Sequence, residues 1–398
     1  MAGREAARVA MTRGGIEHCD LILLFSTSKH DPAALRAGVR AVAGNRARLI
    51  GGYAIGVLTD SELGYDGFQV GVAAVASDSL QIDLLSEGDL PNNEYEVGRA
   101  LGEAIAAKTY AGEPNVLLMY DSMNHSSMNH SSGKPTMNMA TPLLAGMGES
   151  FETWPNLAGV GLVGDTPAIP VMQWFDDGFG DGIVQQKAQA LVLSGDVRMD
   201  TVVMHGCKPA GAYHVVTKSD GPVVLEIDNR PALDVVAELL GPDSDYTAED
   251  YRFFVTLGVN KGEKFGPYRE DDYANRLCCG VDIERGGLVM FEPDLTPGTE
   301  VQLMRRSVDF SYIGQRTQEL LARLEGRKPF FAFYIDCAGR ASAYCGSEGE
   351  EAAEVQRAIG TDIPLLGVYC GVEIARVGAA PQPLDWSGVL CVFSESGS

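Results

Sequence analysis

The chain contains no C-x-x-C pair, no H-x-x-x-H pair, no phosphate-binding P-loop and no G-x-S-x-G elbow. Each absence removes a class of chemistry. Without clustered cysteines or helical histidine pairs, neither a zinc knuckle nor a catalytic zinc site is expected. "GVGLVGD", residues 159–165, fails the dinucleotide-binding spacing. No apolar run approaches the ~20 residues of a membrane-spanning helix. Basic residues are scarce, 31 against 54 acidic, for a net charge of −23. That field repels phosphate backbones and anionic lipid, so nucleic acid and membrane are not expected partners, and it also keeps the protein soluble. The opening "MAGREAARVAMTRGG" lacks the apolar core of a secretory signal, so residues 1–17 read as a disordered or frayed lead-in.

What is present is a recurring order of elements, and 398 residues with 45% hydrophobic content give ample material for more than one core. The apolar run at 19–28 reads as a buried strand, and Asp31 with Pro32 opens a helix at 31–44. Two strands at 47–60 and 64–77 follow, giving β-α-β-β. The order returns with a strand at 115–122, a helix at 141–151 capped by Thr141, and strands at 156–165 and 177–196. Asp66-Gly67-Phe68 corresponds to Asp177-Gly178-Phe179 in this pairing. A fainter copy closes the chain, with strands at 329–340, 364–375 and 384–393 and a helix at 348–360. Between the copies lie a hairpin at 212–228, a helix at 230–241, a strand pair at 276–294 and a helix at 308–326. Strands joined in sequence are expected to pair antiparallel, so the sheets should be mixed. Runs such as "LILLF" are apolar on both sides, which requires sheets buried on both faces. The expected fold class is α/β with mixed sheets: a layered sandwich covered by helices and built from β-α-β-β units. The expected division is 18–211 and 212–398.

"VVTKSDGPVVLEIDNRPALDVVAELL", "CAGR" and "GVYCGVEI" resemble segments of the FIST family, the F-box and intracellular signal transduction proteins. Asp228, Arg230, Pro231 and Ala232 match the family's "DGRPA", with Asn229 in place of glycine. Cys337 and Arg340 match its "C-x-GR", and Gly367, Tyr369, Glu373 and Ile374 match its "GFYTYGEI". "GGYAIGV" in the N-terminal half is a less specific match. The family's "HN-x-TG" is replaced by Leu384-Asp385-Trp386-Ser387-Gly388, so a role resting on that histidine does not carry over. The resemblance implies a cytoplasmic small-ligand sensor signalling to a partner such as a histidine kinase or cyclic-nucleotide enzyme. Some members resemble haem-binding nitric oxide sensors. A homodimer is among the open assemblies.

The candidate ligand residues are Cys337, Arg340, Tyr369, Glu373, Asp385 and Ser387, with Ser26 and Ser28 at a strand end equivalent to Asp121 and Ser122. Arg340 has two readings: a buried ion pair with Glu373, or a fork for a ligand carboxylate. "DSMNHSSMNHSS" carries Met123, His125, Met128 and His130, a donor set suited to copper or haem. Its five-residue duplication equally suits a tolerant loop. Three readings stay open: a sensor, a haem or soft-metal protein using His30, His125, His130, His205 or His214, and an enzyme using Cys337, Arg340 and Glu373. The eight scattered cysteines read as thiols of a reducing compartment.

Overall fold

A computed structural model describes residues 1–65, 67–125, 136–166, 169–177, 182–241, 247–307 and 309–396. The fold is α/β with mixed sheets. Three of its sheets share one pattern: a parallel strand pair flanked by an antiparallel return strand. In the first, Leu21–Ser26 lies parallel to Arg48–Tyr53 and antiparallel to Val70–Val75. In the second, Asn115–Asp121 lies parallel to Asn156–Leu162 and antiparallel to Lys187–Gly195. In the third, Lys328–Cys337 lies parallel to Leu365–Cys370 and antiparallel to Gly388–Glu395. The helices Pro32–Ala43, Ala140–Gly148 and Glu351–Ile359 make the three parallel crossovers. The return strand does not pair with the strand before it, as sequence adjacency suggests. It crosses to the far side of the first strand, because the intervening segment leaves for another sheet.

That departure links the units in a closed cycle. Gly56–Thr59 of the first unit adds to the third sheet, beside Leu365–Cys370. Val372–Val377 of the third unit adds to the second, beside Asn156–Leu162. Gln173–Asp176 of the second unit adds to the first, beside Arg48–Tyr53. Two further strands, Leu80–Gly88 and Arg198–Met204, cover the return strands of the second and third sheets. At the corresponding place in the first sheet, helix Ala2–Gly14 packs beside Val70–Val75. The stretch expected to fray is therefore held down, with Ala7 and Met11 buried and Gly3 pressed against the Leu35 carbonyl.

Alternation along each strand divides the core. Leu117 and Met119 join Phe331, Phe333 and Ile335 in one shared interior, where Phe25 stacks on Phe333 at 5.5 Å. Val116, Leu118 and Tyr120 face the other way, under helices Glu94–Ala106 and Ala140–Gly148. Ala332 and Tyr334 face helices Ser311–Ala322 and Glu351–Ile359. Both faces are dry, which is why these strands read as unbroken apolar runs. Helices Glu94–Ala106 and Ala140–Gly148 approach through glycine: a Cβ at Gly98 would run into the Leu143 carbonyl, and one at Gly146 into that of Tyr95.

A fourth sheet closes on itself. Thr256–Asn260, Tyr273–Asp282, Gly287–Met290, Val223–Ile227, His214–Asp220 and Glu300–Arg306 pair in that order, and Glu300–Arg306 pairs back with Thr256–Asn260. This antiparallel barrel contains the expected hairpin, and helix Ala232–Leu240 packs on its core. It enters the chain between Arg198–Met204 and Ser311–Ala322. One carboxylate ties it to the second unit: Glu292 accepts hydrogen bonds from the Ala140 and Thr141 amides, at 2.9 and 2.8 Å. Thr141 is thus not the cap that its sequence position suggests. The free N–H groups of that helix are satisfied by a residue far along the chain.

Two outcomes follow. Gly98→Ala is expected to destabilise the protein by about 2–3 kcal/mol through overpacking, read as a lower urea midpoint at unchanged slope. Burial pushes the Glu292 carboxyl up to about 7, against the pull of the two amides. An acid raised on folding stabilises fully below its unfolded pKa, and that contribution is lost as pH rises through about 7. The melting temperature should therefore fall between about pH 5 and about pH 8, and Glu292→Gln should make the fall shallower. An identical slope in the variant would exclude Glu292 as the cause.

Candidate functional site

The carboxyl end of strand Lys328–Cys337 meets the start of Gly388–Glu395, and strand alternation splits the candidate residues into two groups. Asp336 and Tyr369, register partners, point toward the helices. Arg340 joins them there, fully buried. Its Nε donates to Asp336 Oδ1 at 3.1 Å, its Nη2 to Glu351 and to the Tyr312 hydroxyl, and its Nη1 to the Trp386 carbonyl at 3.2 Å. Arg340 is thus an internal clamp, and neither of its expected partners, Glu373 or a ligand carboxylate, is the one it holds. Tyr369 donates to Glu350 Oε2 at 3.1 Å, in a network with Tyr65 and Ser342.

The second group reaches the barrel through Asp385. Glu373 is fully buried and pairs with no cation among the described residues; its Oε2 accepts from the Ser387 amide at 3.2 Å, and its Oε1 lies 3.5 Å from the Cys370 thiol. Burial, with Asp385 and Asp336 nearby, pushes this carboxyl well above the usual range. Asp385 accepts from the Leu277 amide at 2.9 Å, and burial raises it to about 6 against the pull of Arg276. Arg276 in turn binds Asp294 and the Pro383 carbonyl. The Ser387 hydroxyl donates to the Asp385 carbonyl at 3.1 Å. Burial, with Glu373 beside it, pushes the Cys337 thiol well above its ordinary value, so it is not an activated nucleophile.

Four residues of this seam have no counterpart among the sequence candidates. Asn275, fully buried on the barrel strand Tyr273–Asp282, reaches the Cys207 thiol, and its side-chain amide meets no oxygen or nitrogen partner among the described residues. Arg306, the last residue of Glu300–Arg306, lies 3.5 Å above the Trp386 ring. Trp386 itself adopts a left-handed backbone conformation, φ 54°, which side chains other than Gly and Asn rarely take. Asp336 completes the set. Its one signal in the sequence is being the sole acid within "PFFAFYIDCAGR"; Arg306 leaves only a basic doublet after an apolar strand.

Ser26 and Ser28 lie elsewhere, and Ser28 is engaged in joining the first two units. Ser28 donates from its amide and hydroxyl to Asp165 Oδ1, each at 2.6 Å, and Ser26 donates to the Thr27 carbonyl at 3.1 Å. Met123 is buried in a short pairing with Met137, while Met128 and His130 lie outside the described residues, as do Asp66, Gly178 and Phe179. His205 accepts from the Cys207 amide at 3.0 Å, His214 pairs with Asp228 at 2.7 Å, and His30 contacts the Phe68 carbonyl at 2.9 Å. Among the described residues no three His, Cys, Asp or Glu side chains are grouped to hold a metal ion, and no helix is long and apolar enough to cross a membrane. All eight cysteines are free thiols.

Residues 20–230 match the FIST N domain and residues 232–376 the FIST C domain. Uncharacterized proteins of Mycobacterium bovis and Mycobacterium tuberculosis are each 27% identical over 198 residues, 48% of this chain and 50% of theirs. An uncharacterized protein of Methanocaldococcus jannaschii is 24% identical over 161 residues, 37% of this chain and 29% of its own. The chain thus spans half or less of the length of these curated relatives.

Replacing Arg340 with Met should strand Asp336 and Glu351 as buried acids and cost about 3–5 kcal/mol in chemical denaturation. A loss below about 1 kcal/mol would mean that the clamp is not structural.

Proposed function

The chain belongs to the FIST family, and from that premise we propose that it is a cytoplasmic sensor. It takes up a small ligand at the seam between the barrel and the third unit and reports occupancy to a signalling protein. FIST domains are associated with sensing in signal transduction. The observation that carries this reading is the Asn275 amide, wholly buried at that seam, where it reaches the Cys207 thiol and meets no oxygen or nitrogen partner among the described residues. A buried amide left with only a weak thiol partner carries a desolvation cost, and sites that recognise polar groups are built from such side chains. The left-handed Trp386 beside it adds backbone strain, which the surrounding structure has to hold in place.

The seam is also suited to transmission. Trp386 gives its carbonyl to Arg340, which holds Glu351 on helix Glu351–Ile359, while its ring meets Arg306 from the barrel. Movement of that one residue would be felt on both sides of the junction. Reduced thiols throughout fit the cytoplasm.

A thermal-shift survey of the purified chain against metabolites and haem tests the reading. A saturable rise with one chemical class, abolished by Asn275→Ala, is the expected result. No shift with any compound would refute it.

A further inference from the structure

The outermost strand of a sheet presents a row of unpaired N–H and C=O groups, and proteins close such rows by cover, by proline or by shortness. The three sheets of the cycle do so at every end but one. Helix Ala2–Gly14 packs beside Val70–Val75. On Arg198–Met204 guanidiniums take the outer carbonyls, Arg323 that of Thr201 at 3.0 Å and Arg316 that of Val203 at 3.3 Å. Ile183–Val184 and Leu63–Gly64 are two residues each. Ala380–Leu384 carries two prolines and gives the Pro383 carbonyl to Arg276. Leu80–Gly88 has none of these protections. It is nine residues long, lacks proline and pairs only with Lys187–Gly195. Among the described residues, the one further hydrogen bond to its backbone joins the Leu80 amide to the Ser77 hydroxyl at 3.2 Å. We infer that this edge is a dimer interface: Leu80–Gly88 pairs antiparallel with the same strand of a second copy, and two six-stranded sheets become one continuous sheet.

The strand's own sequence selects a second copy as the occupant. A closed pair of identical chains has a twofold axis, and an axis normal to a sheet makes two antiparallel strands cross at a single residue. Centring on Leu84 pairs all nine residues. It sets Asp83 opposite Leu85 and Glu87 opposite Gln81, so no acid meets an acid directly across the ladder. Moving the centre to Asp83 would set that aspartate against its own copy, and moving it to Leu85 would set it against Glu87. The Asp83 charge is moreover answered within its own chain, by Lys108 at 2.7 Å. Alternation agrees with this register. Ile82 and Leu84 are buried toward the shared interior, while Leu85 is half-buried toward the helices. Leu84 would therefore meet its copy on one face and Leu85 its copy diagonally on the other, so apolar side chains run on from chain to chain.

The device is the one that builds the molecule. Gly56–Thr59, Gln173–Asp176 and Val372–Val377 each complete the sheet of a neighbouring unit, and Leu80–Gly88 extends the same exchange to a neighbouring chain. A single added strand is a small interface against the ~1,600 Å² typical of stable complexes, so association is reversible and depends on concentration. The net charge of −23 on each copy opposes it. Salt screens that long-range repulsion but leaves the backbone ladder and the leucine contacts in place, so the dimer tightens as ionic strength rises. None of these residues belongs to the seam between the barrel and the third unit, and the inference is independent of the sensor reading.

Sedimentation velocity and hydrogen exchange over a concentration series of the full chain test the interface. The mass should climb from 42.5 kDa toward twice that value, and further at high salt than at low. Amides of residues 80–88 should gain protection in step with the mass. Both measurements use the unaltered protein, so they stand even if a variant misfolds. Gln81→Glu sets an acid against Glu87 twice across the axis and should weaken the dimer about tenfold. Gln81→Lys offers Glu87 an opposite charge and should tighten it by a similar factor. A chain that stays monomeric at every concentration overturns the assignment, including the case in which a strand of another protein adds at this edge. So does a dimer whose residues 80–88 exchange as fast as in the monomer, or one that Gln81→Glu and Gln81→Lys leave equally tight.

Discussion

No sheet of the three-unit ring is complete without a strand from another unit. Gly56–Thr59, Gln173–Asp176 and Val372–Val377 each leave home and pair elsewhere. The backbone groups of these strands and the apolar residues beneath them are satisfied only when all three units are assembled. The rest of the molecule depends on this exchange. It forces a short turn after Arg48–Tyr53 and after Leu365–Cys370, and it brings Cys370, Gly371 and Glu373 to the place where the second and third sheets meet. It also ties folding of the N-terminal half to the C-terminal strands, since the third unit contributes to the sheet that the second unit begins.

Polar groups gather where that ring meets the barrel. Arg276, Asp294 and Asp385 fasten the barrel strand Tyr273–Asp282 to the loop after Leu384, and Glu292 fastens it to the helix of the second unit. Such buried charges add little net stability relative to apolar packing, but each is costly to leave unpaired, so they fix one arrangement of the two bodies. On the same seam Asn275 reaches only the Cys207 thiol, and Arg306 has no carboxylate within ion-pair distance among the described residues. Trp386 stands between them and the Arg340 clamp. Occupancy of the seam and the position of helix Glu351–Ile359 are therefore connected through one residue held in a strained conformation.

Much of the secondary structure was legible because both-face burial writes itself as continuous apolar runs, and because Asp31 with Pro32 is a local helix start. The hairpin around Asp220-Gly221 was legible for the same reason: its turn is made by adjacent residues. The strand exchange was not. The run at 47–60 reads as one strand, yet it divides at Ala54 between two sheets. Nor was the group that caps the helix at Ala140–Gly148, since its carboxylate comes from Glu292 and local capping rules see only neighbours. Arg340 and Glu373 were both recognised as costly buried charges, but their pairing was misassigned because Arg340, in the turn after its strand, is held by Asp336 and Glu351.

By itself, the amino-acid sequence determined the class of fold, the order of the β-α-β-β units, the family, and that Arg340 and Glu373 had to be buried charges. These follow from periodicity, local turn and cap chemistry, and short motifs, all of which act between residues close in the chain. Only the tertiary structure decided which strand completes which sheet, that Arg340 is closed upon Asp336 and Glu351, and that Arg306 stacks on Trp386 with no carboxylate in ion-pair distance among the described residues. The physical reason is that charge compensation in a buried site depends on distance in space, and the groups that meet at this seam are separated by up to a hundred or so residues of chain.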